Sequence, residues 1–467
     1  MKRAWVGVAV TLLLAGAAVA DRLRPPQPVE PATVHASNPG GVWACPVMKL
    51  AGANGWLHLF NSGDDASAVR ISYVPDRGAT VEQALTLAPH RTLTAGTPRA
   101  MLAADAGAIV EYAGGRVTVS RTVSIGGAAG AASCDRPGGA TLIVPQGSTF
   151  TAETQLVLLN PGAADAVVDV ALLTNGRSLQ PQSLSGRVVP ARHRLVIRAG
   201  DYAFDARAVA AQITTQAGRV VVDGILTAGS TADLIQGVPP SAESATVASS
   251  ARGGVLFGVV AIGDEDAVGS GRLLAFDGAS TFPPLVTSLA PDTPIVSAAG
   301  ASHPGAIGLA VESSTSPLVI GARWQVVTKG NPGEVAMSTG VTPSHEVLAV
   351  LGPPAASGAM RLLIANTDTA PASIDIVVFT EAGPAKLPQL QGIALEPGRS
   401  ATLTLQGLSP SATVGLQIRS SGGRVVAALE ATTAAPTFTA YAVTAVPTEN
   451  VPVVGVEPDP RRGVPAS

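Results

Sequence analysis

Leu57–Asn61 reads LHLFN, Gln155–Asn160 reads QLVLLN, and Arg361–Asn366 reads RLLIAN. Each is a short apolar run closed by Asn, a residue that favours the turn required after a strand. The three Asn stand 99 and 206 residues apart, and 206 is close to twice 103, so a fourth copy is expected near position 263. Leu256–Gly263, LFGVVAIG, supplies it with Gly in place of Asn. Other landmarks keep step. Pro89, Pro190, Pro291 and Pro397 follow their anchors at offsets of 28 to 31, and a Gly-Arg-Val step opens a Val-rich strand at Gly115, Gly218 and Gly423. The third copy has Ser316-Pro317-Leu318 there instead. Four landmarks in register define four tandem repeats of about one hundred residues.

Alternation gives each repeat its structure. Ile374 and Ile376 alternate with Ser373 and Asp375, Val168 and Val170 with Asp169, and Val69 and Ile71 with Arg70. A period of two predicts half-buried strands with one wet face. Arg361–Thr444 accommodates about seven such strands between Gly, Pro, Asn and Ser turns, the size of an immunoglobulin-like sandwich. A propeller blade needs only ~40–50 residues, so the repeat length fits a propeller poorly. The expectation is an all-β tandem array of about four immunoglobulin-like β-sandwich domains after an N-terminal signal or anchor segment. The sandwiches fall at 43–136, 137–240, 241–345 (divergent) and 346–446. Placed end to end they would reach on the order of 150 Å.

Before the repeats, Met1-Lys2-Arg3 is followed by an uncharged stretch from Ala4 to Ala20 that ends in Ala18-Val19-Ala20, the pattern a signal peptidase reads. Cleavage after Ala20 and retention of 1–20 as a membrane anchor both fit its length. Either way the remainder is exported by the general secretory route, secreted or held to the cytoplasmic membrane by this segment alone. Residues 21–42 form a Pro-rich linker, and 447–467 a Pro-rich disordered tail. Cys45 and Cys134 are the two cysteines of the chain, and an exported protein permits a disulfide between them. Closing that loop would constrain the unfolded chain by roughly 4.5 kcal/mol. The alternative, a catalytic or metal-binding thiol, has no neighbouring His or second sulfur to support it.

The sequence carries few motifs for chemistry. A net charge of -3 argues against nucleic acid as a partner. The six His are scattered singly, and no nucleophile elbow, zinc-protease helix or phosphate-cradling Gly-rich loop occurs. The expectation is therefore no catalytic, cofactor-binding or metal-binding residue. Asp64-Asp65 and Asp264-Glu265-Asp266 could bind calcium or hydrolyse a glycan, but both follow closely on an anchor, where acidic residues in a solvated turn are the simpler explanation. Arg116, Arg219 and Arg424 could form an anion-binding row; recurring after Gly in three repeats, they read as fold-making residues. Trp43 and Trp56 flank Cys45 as either a sugar-stacking platform or core packing beside the disulfide.

Taken together, Trp43-Ala44-Cys45-Pro46 after a signal segment, LLNPG at 158–162 and the Gly-Gly-Arg-Val strands resemble an uncharacterised actinobacterial family of exported proteins, domain of unknown function 5719. The resemblance covers roughly residues 42 to 446. It implies an envelope location and association with glycosyltransferase-linked wall biogenesis, and it brings no catalytic residue. The leading expectation is a non-enzymatic envelope scaffold, with envelope proteins or cell-wall polysaccharide as partners. The alternatives are a carbohydrate-binding protein using Trp43 and Trp56, and an envelope glycan hydrolase using Asp64 or Asp264.

Overall fold

A computed structural model describes residues 40–448 apart from short stretches, chiefly 250–254, 276–279, 282–289, 300–305, 353–359, 406–411 and 433–439. The signal segment 1–20, nearly all of the linker and the tail beyond 448 lie outside the described residues. In the first repeat the alternating sequence forms β1 (Gly40–Lys49), β2 (Gly55–Asn61), β3 (Ser67–Pro75), β4 (Val81–Leu87), β5 (Arg91–Gly96), β6 (Ala106–Ala113), β7 (Val117–Ile125) and β8 (Ala128–Ser133). They build two antiparallel sheets, ordered β1-β6-β3-β4 and β5-β2-β7-β8. Trp43, Leu57, Leu59, Ile71, Tyr73 and Val119 pack between them as one core. The same two strand orders recur at 141–236, at 243–339 and at 346–444, so the divergent third repeat shares the topology of the others. The order differs from that of an immunoglobulin domain at its ends. Here the first strand lies beside β6, where the last would be, and β7 takes the first strand's place beside β2.

The anchor Asn explains why the repeat has this sequence. Asn61, Asn160 and Asn366 are fully buried. Asn160 Nδ2 donates to Ala164 O at 2.8 Å and Val189 O at 2.9 Å, while its Oδ1 accepts from Gly162 N at 2.8 Å. Asn366 repeats the pattern with Ala370 O, Leu395 O and Asp368 N at 2.8, 3.0 and 3.0 Å. Asn61 does so with Asp65 O, Leu87 O and Gly63 N at 2.7, 3.3 and 3.0 Å, and also accepts from Arg116 N at 3.0 Å. One side chain thus satisfies carbonyls from two turns that the sheet ladder cannot reach. The glycine of the Gly-Arg step follows from this: a Cβ on Gly423 would lie 2.5 Å from Asn366 Oδ1. In the third repeat Gly263 leaves the place empty, and the Ser316 hydroxyl fills it 3.3 Å from where a Cβ would stand.

The four sandwiches do not lie end to end. Within the unit Pro39–Ser467 each packs its outer sheet against the next, and the fourth returns to the first. Ala44, Val74 and Ile109 meet Leu159 and Val221 between the first and second. Ile143, Leu173 and Ala210 meet Val260 and Val319 between the second and third. Ala245, Val247 and Ala310 meet Leu363, Ala365, Val426 and Ala428 between the third and fourth. Leu348, Val350 and Phe379 of the fourth join the core cluster of the first, with the Phe60 and Phe379 rings 4.9 Å apart. The expectation of one wet face fails for the anchor strands: LHLFN and RLLIAN are buried on both sides, because each sheet is covered by its own sandwich and by its neighbour's. The last strand of each repeat (β8, Thr231–Gln236, Asn331–Thr339 and Ala440–Thr444) lies innermost, touching its two counterparts.

At this hub four side chains form a closed circuit. Ser133 Oγ donates to Thr444 O at 2.8 Å, Thr444 Oγ1 to Thr339 O at 3.2 Å, Thr339 Oγ1 to Gln236 O at 3.2 Å, and Gln236 Nε2 to Ser133 O at 2.7 Å. Edge strands that would otherwise expose unpaired carbonyls are capped by one another.

The closure between the fourth and first sandwiches is equally specific. His58 is buried, its ring nitrogens bonded to the Thr94 and Thr122 hydroxyls at 3.0 and 2.8 Å. A Cβ on Gly352 of the fourth sandwich would lie 2.4 Å from that ring, so this approach requires glycine. Burial drives the His58 pKa down to about 3. The native ring stays neutral where the unfolded one, near 6.5, takes up a proton, so stability falls as pH drops from about 6.5 towards 3. The His58 contribution is roughly 1 kcal/mol per pH unit. Half-buried Asp135 and buried Asp223, both raised by desolvation, act in the opposite direction above their unfolded values near 3.8. Thermal unfolding between pH 4 and 7 should lose part of its pH slope in His58→Gln; an unchanged slope would place the titration elsewhere. Asn160→Ala should cost about 3 kcal/mol in urea unfolding, since it orphans two carbonyls and one N–H. A loss below about 0.5 kcal/mol would refute the role given to the anchor.

Candidate functional site

The closure also forms a polar cleft of about 370 Å³. Its first wall is the turn wound around Asn61. Because Asn61 holds Gly63 N and Asp65 O, the intervening Asp64 is thrust outward with a side chain 97% exposed. Asp64 Oδ1 lies 3.0 Å from Nε2 of His90, whose ring stacks on Phe379 of the fourth sandwich with centroids 5.8 Å apart. His90 sits at φ 54°, a left-handed position that Gly398 occupies at φ 68° in the fourth repeat's matching turn. Asp65 and Arg116 complete this side, and Gln417 and Arg419 form the facing wall. Arg419 pairs with Glu346 at 3.2 Å. The cleft offers guanidinium donors beside carboxylate acceptors, a lining suited to a hydroxyl-rich or zwitterionic ligand.

Ser62 lines the same cleft, which raises the question of a Ser-His-Asp arrangement. Comparison between repeats answers it. Ser62 Oγ donates to Arg116 O at 3.3 Å, and Thr367 Oγ1 donates to Arg424 O at 3.0 Å in the fourth sandwich. The hydroxyl does the same structural work in both places. Among the described residues no group of three or more His, Cys, Asp or Glu could hold a metal ion.

The other residues singled out in the sequence are spread through the fold. Cys45 and Cys134 are joined, their Cα atoms 4.8 Å apart, and the bond ties β1 to the chain leaving β8. Trp43 belongs to the core: it is 2% exposed and its Nε1 donates to Val117 O at 2.8 Å. It has no face left for a sugar, which corrects the platform reading for this residue. Trp56 is half-buried on β2, in the opposite sheet from Trp43, so the two rings do not form one surface. Arg424 bridges two sandwiches, bonding Asp368 of its own repeat at 2.8 Å and Glu243 of the third at 2.5 Å. Hydrogen bonds to these carboxylates raise its pKa and lower that of Asp368. Arg116 and Arg219 are exposed in their turns. Asp264 and Glu265 lie outside the described residues, and Asp266 is exposed.

Sequence reasoning missed a buried charged group between the first two sandwiches. Arg121 on β7 and Asp223 are both fully buried and pair at 2.5 Å. Arg121 Nη1 also donates to Ser133 O at 2.6 Å, and Asp223 Oδ2 accepts from Val47 N at 3.0 Å. Asp135, half-buried, accepts from Gln236 Nε2 at 3.0 Å. Desolvation pushes Asp135 well up, and the nearby Asp223 charge adds to it. The signal was present: VTVSRTVS and VVVDGIL each carry one charge of opposite sign inside a Val-rich run. A charge there is tolerated only when paired.

No curated protein matches the chain. A family model described as a family of unknown function, DUF5719, matches residues 341–439. Those residues cover nearly all of the fourth sandwich, including its anchor Asn366 and Gly423-Arg424 step. The fourth sandwich is thus the part of the chain that is similar to the DUF5719 family, a family of unknown function.

Proposed function

We propose that this chain is a non-enzymatic, exported cell-envelope protein that acts as a rigid interaction scaffold. The observation that carries the reading is the hub: four sandwiches locked by the Ser133-Thr444-Thr339-Gln236 circuit into one body. The repeated residues that a sequence search would nominate for chemistry serve this architecture. The anchor Asn hold turns, Gly115 and Gly423 make room for Asn61 and Asn366, and Arg424 ties two sandwiches together. The Cys45–Cys134 bond and the apolar stretch from Ala4 to Ala20 support export. A platform of this kind displays turns and sheet edges to several partners at fixed spacing. It differs from the extended spacer that an end-to-end array would provide.

The closure cleft favours a second reading, a carbohydrate-binding protein directed at wall polysaccharide, in which Arg116, Arg419 and Asp64 replace the two-Trp platform. In-cell crosslinking of a C-terminally tagged copy, followed by mass spectrometry, separates the two. The scaffold reading expects a constant set of envelope proteins, retained in Arg116→Ala/Arg419→Ala. Recovery of wall glycan alone, lost in that double variant, would overturn the scaffold in favour of the cleft.

A further inference from the structure

Phe204, in the second sandwich, is 88% exposed; the other exposed large apolar residues among those described are valines at 41% to 51%. Its turn is built to hold it there. Thr149 N and Phe150 N donate to Ala206 O at 2.8 and 3.1 Å, and Ala206 N donates back to Thr149 Oγ1 at 2.9 Å. The Thr149 hydroxyl also bonds Ala203 O. Asp205 and Thr151 take left-handed φ values of 57° and 54°, conformations that cost energy in residues with a Cβ. Beside the turn, the Arg207 guanidinium covers the Phe150 ring at 4.5 Å. A chain that only needed to turn here would place Gly or a polar residue at the tip. An aromatic carried on a braced turn and followed by Asp205 has the character of an interface anchor whose backbone is ordered before it binds.

A receptor for it lies on the first sandwich. The outward face of β3, β4 and β6 has a shallow, mainly apolar depression of about 540 Å³, lined by two rows across the strands, Thr86-Ala68-Ala113 and Ala84-Arg70-Glu111, so that Ala68, Ala84 and Ala113 keep it low. Arg70 and Glu111, paired at 2.7 Å, supply its charged side, with Glu111 also bonded by Arg192 of the second sandwich at 3.2 Å. Two guanidinium groups share the one Glu111 carboxylate here, which leaves positive charge that Asp205 beside Phe204 complements. We propose that Phe204 of one molecule docks into this depression on a second copy of the chain. Knob and depression lie on different sandwiches, so the contact is heterologous and propagates head to tail, leaving a free knob at one end and a free depression at the other. The inference is independent of what the scaffold binds.

Sedimentation velocity on the full chain tests it, with Phe204→Asp removing the knob and Ala84→Arg filling the depression. Both positions are exposed, so melting temperatures should match wild type. Wild type is expected to grow in mean mass with concentration, and each variant alone to stay monomeric. An equimolar mixture of the two should form a dimer and nothing larger, because one intact knob meets one intact depression. A wild type that stays monomeric at millimolar concentration would overturn the proposal, including one that instead floats with lipid vesicles or binds wall glycan. So would unchanged association of Phe204→Asp, or a mixture that fails to pair.

Discussion

The rest of the structure depends on four hydrogen bonds at the hub, running from Ser133 to Thr444, Thr339, Gln236 and back to Ser133. Each links the innermost strand of one sandwich to that of the next, and all four residues are buried. A sandwich whose last strand ended in water could keep its own fold but would leave an edge open to pairing. Closing four such edges on one another converts a row of sandwiches into a cycle. Once the cycle exists the anchor strands are covered on both faces, and the apolar clusters between sandwiches form alongside the cores within them.

The disulfide and the buried charges belong to the same device. Cys134 directly follows Ser133, and Asp135 directly follows Cys134, so the bond to Cys45 fixes the stretch that supplies two hub contacts. Arg121 reaches that stretch from β7 and pairs with Asp223 across the boundary between two sandwiches. Buried pairs of this kind contribute little net stability compared with apolar packing, yet they penalise any arrangement that separates the partners. Their place at the boundary accounts for specificity of assembly more than for strength.

Much of this was legible in the sequence, for identifiable reasons. Asn61, Asn160 and Asn366 revealed the repeat because one side chain must satisfy two turns at once, which fixes both its identity and its spacing. Alternation in Ser373–Val378 revealed strands because that part of the sheet keeps one face in water. Cyclic closure was not legible, since repeat length is indifferent to whether the last copy meets the first. Two clues pointed to it: the unbroken apolar runs of the anchor strands, expected of sheets covered on both sides, and the opposite charges inside the strands of Arg121 and Asp223. Trp43 was ambiguous because a Trp beside a cysteine serves core and surface equally well; its burial and its bond to Val117 O decide. The closure cleft joins His90 to Arg419 from opposite ends of the chain, a juxtaposition no local pattern encodes.

Closure of the fourth sandwich onto the first is the central claim, and small-angle scattering measures it most directly. A closed cycle of this length should give a radius of gyration of about 22 Å, slightly more with its terminal segments. Four sandwiches in a row, ~150 Å long, would give about 43 Å. The account predicts the smaller value, unchanged by dilution to the monomer; the larger value in the monomer would contradict it.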